Sequence, residues 1–549
     1  MTHVQTQDGE RRSPVTSSSE EELGKIYLAS RSTVDADTWN GIIASCAEDI
    51  EPERLPDELA LQLGDSGLPD FLPELARLEW AVHTVKNGEI EIPAEVDRLG
   101  VNPTVQLLQL SWRNLCSILN SEGGSHSPDP EPGEEFVLIW LDPKTLRLKT
   151  QPTSDEDLLV LKMVVEGIDP QEAAAAGGLP VGAVDGAIHR AVSRGILLQP
   201  PSLIRRDPAS FPVGENTDKT FLSSPVFTLQ WHITQACDLH CKHCYDRSER
   251  SSLELDHGLA ILDDLRAFCQ GRYVRGQVTF TGGNPLMYPH FLDLYRGASE
   301  RGLGIAILGN PARASRIEEL LEIQRPAFFQ VSLEGLQEHN DMIRGPGNFE
   351  RVIEFLSVLR DVDITSMVML TLTQGNIDQV LPLADTLRGL TDHFNFNRLS
   401  MVGEGANLQP PERSEYISFL ETYMDTAERN PHMGLKDNLM NLVRFQKGIE
   451  LFGGCAGYGC SAAFNFITVL SDGEAHACRK FPSPIGNVFE QSIAEVYDSE
   501  MAHRYRSGCT ACTSCPIRPV CGGCLAVAHS FGLNVFEERD PYCFIAMSE

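Results

Sequence analysis

The fifteen cysteines of this 549-residue chain constrain it most, because of how they are spread. Cys46 and Cys116 are the only two before position 237. Cys237, Cys241 and Cys244 then form a C-x3-C-x2-C run, Cys269 stands alone, and nine fall between Cys455 and Cys543. The N-terminus, MTHVQTQDGERRSPVTSSSEEE, lacks the apolar run of a secretory signal. No stretch of about 18 apolar residues occurs, so no membrane span is expected. The expected location is the cytoplasm, where thiols stay reduced and clustered cysteines read as metal ligands before disulfides. A net charge of −32 repels phosphate backbones and argues against nucleic acid as a general partner.

Residues 1–22 are expected to be disordered, and 23–120 to form a helical domain, with apolar residues at helical spacing from Leu72 to Trp80. The stretch SEGGSHSPDPEPGEE (121–135) reads as a linker. In 136–205, two short strands (136–140 and 146–149) flank the turn Asp142-Pro143-Lys144, and three helices follow, the last ended by Gly195. That is a winged-helix arrangement, open to three uses: peptide recognition, structural packing or DNA binding. An exposed apolar face is expected from Val137, Ile139, Val184 and Ile188. From 225 to 430 strands and helices alternate. Strands are expected at 226–234, with Phe227, Leu229, Trp231 and Ile233 on one face, and at 277–281, 304–308, 328–333, 367–373 and 394–399. Six βα units imply an α/β fold with a parallel sheet, open or closed into a partial barrel, and chemistry at the C-terminal strand ends.

A C-x3-C-x2-C loop can wrap three thiolates around one face of an iron–sulfur cube and leave one iron open to a substrate atom. Zinc, the alternative, normally takes four ligands. Thr281-Gly282-Gly283-Asn284-Pro285, Val331-Ser332-Leu333-Glu334-Gly335 and Asp341-Met342-Ile343-Arg344-Gly345 follow at the ends of expected elements. Taken in order, these segments resemble the motifs of radical S-adenosylmethionine (SAM) enzymes. The resemblance implies a partial (β/α)6 barrel over 225–430 and a 4Fe–4S cluster on Cys237, Cys241 and Cys244, whose open iron binds SAM and yields a 5′-deoxyadenosyl radical. It further implies that His243 lies near the adenine and that Gly282, Gly283, Asn284 and Pro285 meet the SAM amino group. Ser332 would bond the ribose, and Arg344 would face the SAM carboxylate or the substrate. Asn284 and Glu334 depart from the family's usual Glu and Asp. Asn310 and Asn376 are expected to line the same cavity.

The C-terminal cysteines resemble the SPASM pattern, with two residues instead of three between Cys521 and Cys524. This implies two auxiliary 4Fe–4S clusters in a domain over 450–549. One would sit on Cys455, Cys460, Cys478 and Cys524, the other on Cys512, Cys515, Cys521 and Cys543, leaving Cys509 over. Zinc is again the alternative. Cys46, Cys116 and Cys269 read as small buried hydrophobes.

SPASM enzymes mostly modify ribosomal peptides, and the unit at 136–205 resembles their leader-peptide recognition domains. The implied partners are a precursor peptide with a leader segment and an electron donor such as a flavodoxin or ferredoxin. Arg479 and Lys480 follow Cys478 where sulfatase maturases carry an Asp, which argues against that branch. The overall layout resembles maturases of the selenobiotic, or thio(seleno)oxazole-modifying, type. Alternatives are a radical enzyme acting on a small molecule or folded protein, and a zinc-containing DNA-binding regulator.

Overall fold

The computed structural model describes residues 17–46, 50–64, 67–120, 129–211 and 218–545, and its chain divides into two compact units. The disorder expected over 1–22 falls outside the described residues as far as 16, while 17–22 open the helix Ser17–Ile26. No helix among the described residues is long and apolar enough to cross a membrane.

In the first unit the helix Leu72–Asn87, opened by a proline at its start, buries two sides. Leu72 and Ala76 pack with Trp39, Leu55 and Leu59. Leu75, Leu78 and Val85 pack against a sheet through Leu110, Val137 and Ile139. The strands, in chain order, are β1 (Gly100–Val101), β2 (Gln106–Arg113), β3 (Glu131–Leu141), β4 (Leu148–Pro152) and β5 (Leu197–Leu198). β2, β3 and β4 form one antiparallel sheet in that order, and β1 pairs with β5. The region 23–120 is therefore not all helical. β3 also starts inside the 121–135 stretch, of which 121–128 lie outside the described residues.

The expected exposed apolar face is corrected at three of its four positions. Val137 and Ile139 are fully buried under the Leu72–Asn87 helix, and Leu138 and Trp140 are buried on the opposite face with Val160, Ala187 and Ile196. A continuous run such as Phe136-Val137-Leu138-Ile139-Trp140 suits a strand covered on both faces. Val184 is buried as well, and Ile188 is half-buried against the same cluster. The hairpin turn is held by the Asp142 carboxylate, which accepts the N–H groups of Lys144 and Thr145 at 2.9 Å each. The helices Asp155–Glu166, Pro170–Gly177 and Val181–Ser193 follow, the first started by a capping box between Ser154 and Asp157.

The second unit is built on a nine-stranded sheet. Its strands are β6 (Val226–Thr234), β7 (Arg275–Gly282), β8 (Gly304–Leu308), β9 (Phe328–Ser332), β10 (Ser366–Leu372), β11 (His393–Arg398), β12 (Phe466–Val469), β13 (Glu474–His476) and β14 (Pro484–Asn487). The order is β11-β10-β9-β8-β7-β6-β12-β13-β14. β6 to β11 run parallel, matching the six strands read from the sequence within about two residues at each end. Phe227, Leu229, Trp231 and Ile233 are all fully buried on β6. β12 adds in parallel to the other side of β6, so the cysteine-rich segment continues the same sheet.

Candidate functional site

A cavity of about 460 Å³ opens where the ends of β6 to β11 meet the loops that follow them, and Cys237, Cys241 and Cys244 all line it. Two contacts shape the cysteine loop: the Cys244 N–H donates to the Cys241 carbonyl at 3.2 Å, and the Lys242 N–H to the Ile343 carbonyl at 3.0 Å. The end of β7 comes against this loop through Gly282 and Gly283. Gly282 has φ +135°, and a Cβ on Gly283 would lie 2.3 Å from the Ala236 carbonyl oxygen, so side chains there would break the packing.

Of the residues expected around SAM, His243, Gly282, Gly283, Ser332 and Arg344 are on the cavity wall. Asn284 and Pro285 stand behind it. The buried Asn284 amide donates to Asp238 Oδ1 at 3.0 Å, and Asn310 donates to the same oxygen at 2.6 Å while standing 3.6 Å from Cys237 Sγ. Asp238, inside the cysteine loop, is thus held by the ends of two strands. Asn376 is corrected: it is buried and bonded to the Glu334 and Thr371 carbonyls and the Thr373 N–H, away from the cavity.

Glu334 is the residue whose role the sequence left open. Its Oε1 accepts from Arg344 Nη2 at 2.6 Å and Nε at 2.9 Å and lies 3.3 Å from His243 Nε2, while Oε2 accepts the Thr371 N–H at 2.8 Å. Arg344 is thereby aimed so that Nη1 lies 3.7 Å from Cys241 Sγ. Burial by itself pushes the Glu334 carboxyl up, but His243, Arg344 and the Thr371 N–H hold it below the usual carboxylate range. Burial holds His243 below the usual histidine range. Tyr245, also on the wall, bonds through its hydroxyl to His232 Nε2 at 3.1 Å, and burial drives His232 down to about 3, so that ring is neutral.

The nine C-terminal cysteines separate in space. Cys455, Cys460, Cys478 and Cys524 line one smaller cavity, and Cys512, Cys515, Cys521 and Cys543 line another. Cys509 lines neither, and its sulfur is 3.3 Å from that of Cys512. The short Cys521–Cys524 spacing works because Gly522 and Gly523 both adopt left-handed φ, +62° and +65°, which turns the chain between the cavities. Asp540 fixes that turn: it accepts the Cys524 N–H at 2.8 Å and both arms of Arg398, at 2.8 and 2.7 Å. Arg206, between the rings of Phe211 and Phe464, donates to the Cys460 and Pro519 carbonyls.

Among the described residues no three His, Cys, Asp or Glu side chains close on one point as around a single ion. The thiols of each set of four line one shared space. Burial pushes Cys460 up to about 12 and Cys478 up to about 11, so these thiols need a cationic partner to become thiolates, which iron supplies. The donor chemistry fits iron–sulfur clusters. Cys46, Cys116 and Cys269 are buried, with burial raising each thiol.

Comparison with known proteins agrees. The radical SAM superfamily matches residues 231–387, and the iron–sulfur cluster-binding SPASM domain matches 460–524. An AdoMet-dependent heme synthase from Methanosarcina barkeri is 27% identical over 343 residues, covering 57% of this chain and 95% of that protein. The antilisterial bacteriocin subtilosin biosynthesis protein AlbA of Bacillus subtilis is 22% identical over 313 residues, covering 54% of this chain and 66% of AlbA. The crystal structure of Streptococcus suis SuiB aligns with a TM-score of 0.49 at 17% identity, over 75% of this chain and 96% of SuiB. The first domain implies a 4Fe–4S cluster and SAM, and the second implies further iron–sulfur clusters. The chain carries a radical SAM domain followed by an iron–sulfur cluster-binding SPASM domain, the domain pair of a radical SAM enzyme.

Proposed function

We propose that the chain modifies a ribosomally made precursor peptide. The supporting observation is the three-cysteine cavity in a chain whose other unit ends its sheet on β4, a short strand paired on one side only among the described residues. β2 covers one side of the hairpin, so an extended leader would add to β4. Its backbone would then supply affinity, and pockets for alternate side chains would supply choice. In this reading the unit is a winged-helix-like recognition domain. The named role of AlbA in bacteriocin biosynthesis supports it, and a selenobiotic-type maturase is the narrower form of the proposal.

Cys237, Cys241 and Cys244 would hold the cluster with the open iron, and two sets of four cysteines the auxiliary clusters. When bound, the first cluster and SAM supply the 5′-deoxyadenosyl radical that abstracts hydrogen from the substrate. Arg344, oriented by Glu334, would set the charge beside the thiolates, and Gly282, Gly283, Ser332 and His243 would shape the SAM seat. A flavodoxin or ferredoxin would deliver the electron.

The test is anaerobic incubation of the reconstituted protein with SAM, a reductant and each short peptide encoded beside its gene, read by mass spectrometry. A peptide mass change that requires SAM is expected. The heme synthase relative supports a second reading, a small-molecule substrate. Turnover of an iron porphyrin with no change in any peptide would favour that reading.

A further inference from the structure

The charges on the main cavity wall are unbalanced. Asp246 is the only carboxylate there among the described residues, and it is engaged by Gln235 at 3.1 Å and Ser248 at 2.5 Å. Of the cations on the wall, Arg344 is tied to Glu334, Arg398 is tied to Asp437 and Asp540, and Arg247 is directed to His240 and the Cys241 carbonyl. Arg479 differs. Like Arg247 it has no carboxylate partner among the described residues, but where the Arg247 guanidinium makes two bonds that of Arg479 makes one, from Nη1 to Thr281 Oγ1 at 3.4 Å. A guanidinium carries five N–H donors in a fork that matches a carboxylate, so most of this fork is free.

Lys480, the next residue, also lines the cavity, and its ammonium donates to the Arg398 carbonyl at 3.1 Å. Thr281 is on β7 and Arg398 on β11, four strands away in sheet order. The side chains of two adjacent residues therefore reach strand ends on well-separated parts of the wall. Cys478, just before them, lines the neighbouring cysteine cavity, and Lys480 lines both cavities, so Arg479 is the member of the pair that lines the main cavity alone.

We propose that Arg479, with Lys480 beside it, is the carboxylate anchor of the substrate. The substrate is then an acid; on the peptide reading above, on which this identification of its class rests, it presents an Asp, Glu or C-terminal carboxylate beside the reacting carbon. Arg344 already supplies the cation next to the thiols, which leaves Arg479 for a second anion.

The experiment uses the full chain, anaerobically reconstituted, and three probes: N-acetylglutamate methylamide, its glutamine counterpart, and glutarate. Equilibrium binding by ligand-observed NMR, in the presence of SAM, should favour the glutamate probe over the glutamine probe by about ten-fold, as expected of a charge-assisted bidentate contact. R479Q should reduce that preference to about one, and R479K should retain part of it. The iron content of each variant is checked against wild type. Equal binding of the two peptide-like probes, together with no Arg479-dependent binding of glutarate, would overturn the proposal. So would an R479Q protein that keeps the preference but loses SAM affinity, which would place SAM's own carboxylate on Arg479. Arg479-dependent binding of glutarate, with no binding of either peptide-like probe, would keep the anchor and overturn the peptide reading instead.

Discussion

Glu334 shows what a single side chain can reveal only in its surroundings. Its place after Ser332 and Leu333 marks a strand end, but sequence spacing does not say that Arg344, His243 and the Thr371 N–H all converge on its two oxygens. Glu334→Gln keeps the size and removes the charge. It leaves Arg344 buried without its counter-ion, which costs about 3 kcal/mol by analogy with other broken buried pairs. SAM affinity should fall about ten-fold through the displaced Arg344, read by equilibrium dialysis; an unchanged affinity would show that Arg344 needs no tether. Cys241→Ala acts differently. Three cuboidal clusters amount to about 12 irons per chain, and this variant should hold about 8 and release no 5′-deoxyadenosine. Deoxyadenosine at the wild-type rate would contradict the ligand assignment. The cysteine loop was legible because its spacing is itself the chemistry. The carboxylate behind Arg344 was not, because its partners lie in other elements.

Among the elements, the six parallel strands were readable from apolar runs of the right length between helical stretches. β2 was not, since Gln106-Leu107-Leu108-Gln109-Leu110 also fits a helical spacing; only in the fold do Leu108, Leu110 and Trp112 alternate inward beneath the Leu72–Asn87 helix. β12 was missed because four buried residues carry too little pattern, and their strand identity comes from the free side of β6. The helix Asp155–Glu166 offers a test of local signals. Asp157 completes its capping box with Ser154 and pairs with Arg194. Burial pushes the Asp157 carboxyl up, but Arg194 and Ser154 outweigh it and hold the carboxyl below the usual range. A depressed carboxylate adds stability that is full above its unfolded pKa of about 3.9 and is lost as pH falls through the folded value. Asp157→Asn should therefore cost about 1–2 kcal/mol at pH 7, and less and less as the pH falls through the folded value. Urea melts followed by tryptophan fluorescence can measure this, since Trp39, Trp80, Trp112 and Trp140 lie in the first unit and only Trp231 in the second. A cost that does not change with pH would mean the charge on Asp157 is irrelevant.

At the scale of the whole second unit, the six parallel strands and the cysteine-rich segment are joined by shared backbone and buried charge. β12 continues the sheet, and Arg398 at the end of β11 reaches Asp437 at 2.8 Å and Asp540 at 2.7 Å, residues 39 and 142 positions away. That separation is why the sequence indicated two sets of four cysteines but not what positions them. Asp540 has two attachments: it binds Arg398, and it accepts the Cys524 N–H beside the left-handed Gly522-Gly523 turn. Cys521 before that turn and Cys524 after it face different cavities. One carboxylate therefore sets the direction of thiols belonging to both sets. Asp540→Ala should cost about 3–5 kcal/mol, because Arg398 stays buried with half its counter-charge gone. It should also free the turn, so that both C-terminal sets lose their geometry together. The expected iron content falls from about 12 toward about 4 atoms per chain, the share of the Cys237, Cys241 and Cys244 loop. Iron analysis after anaerobic reconstitution reads this directly. Loss of about four irons would mean that only one of the two sets depends on the turn. Wild-type iron in a destabilised protein would show that Asp540 serves the fold and not the cysteine cavities.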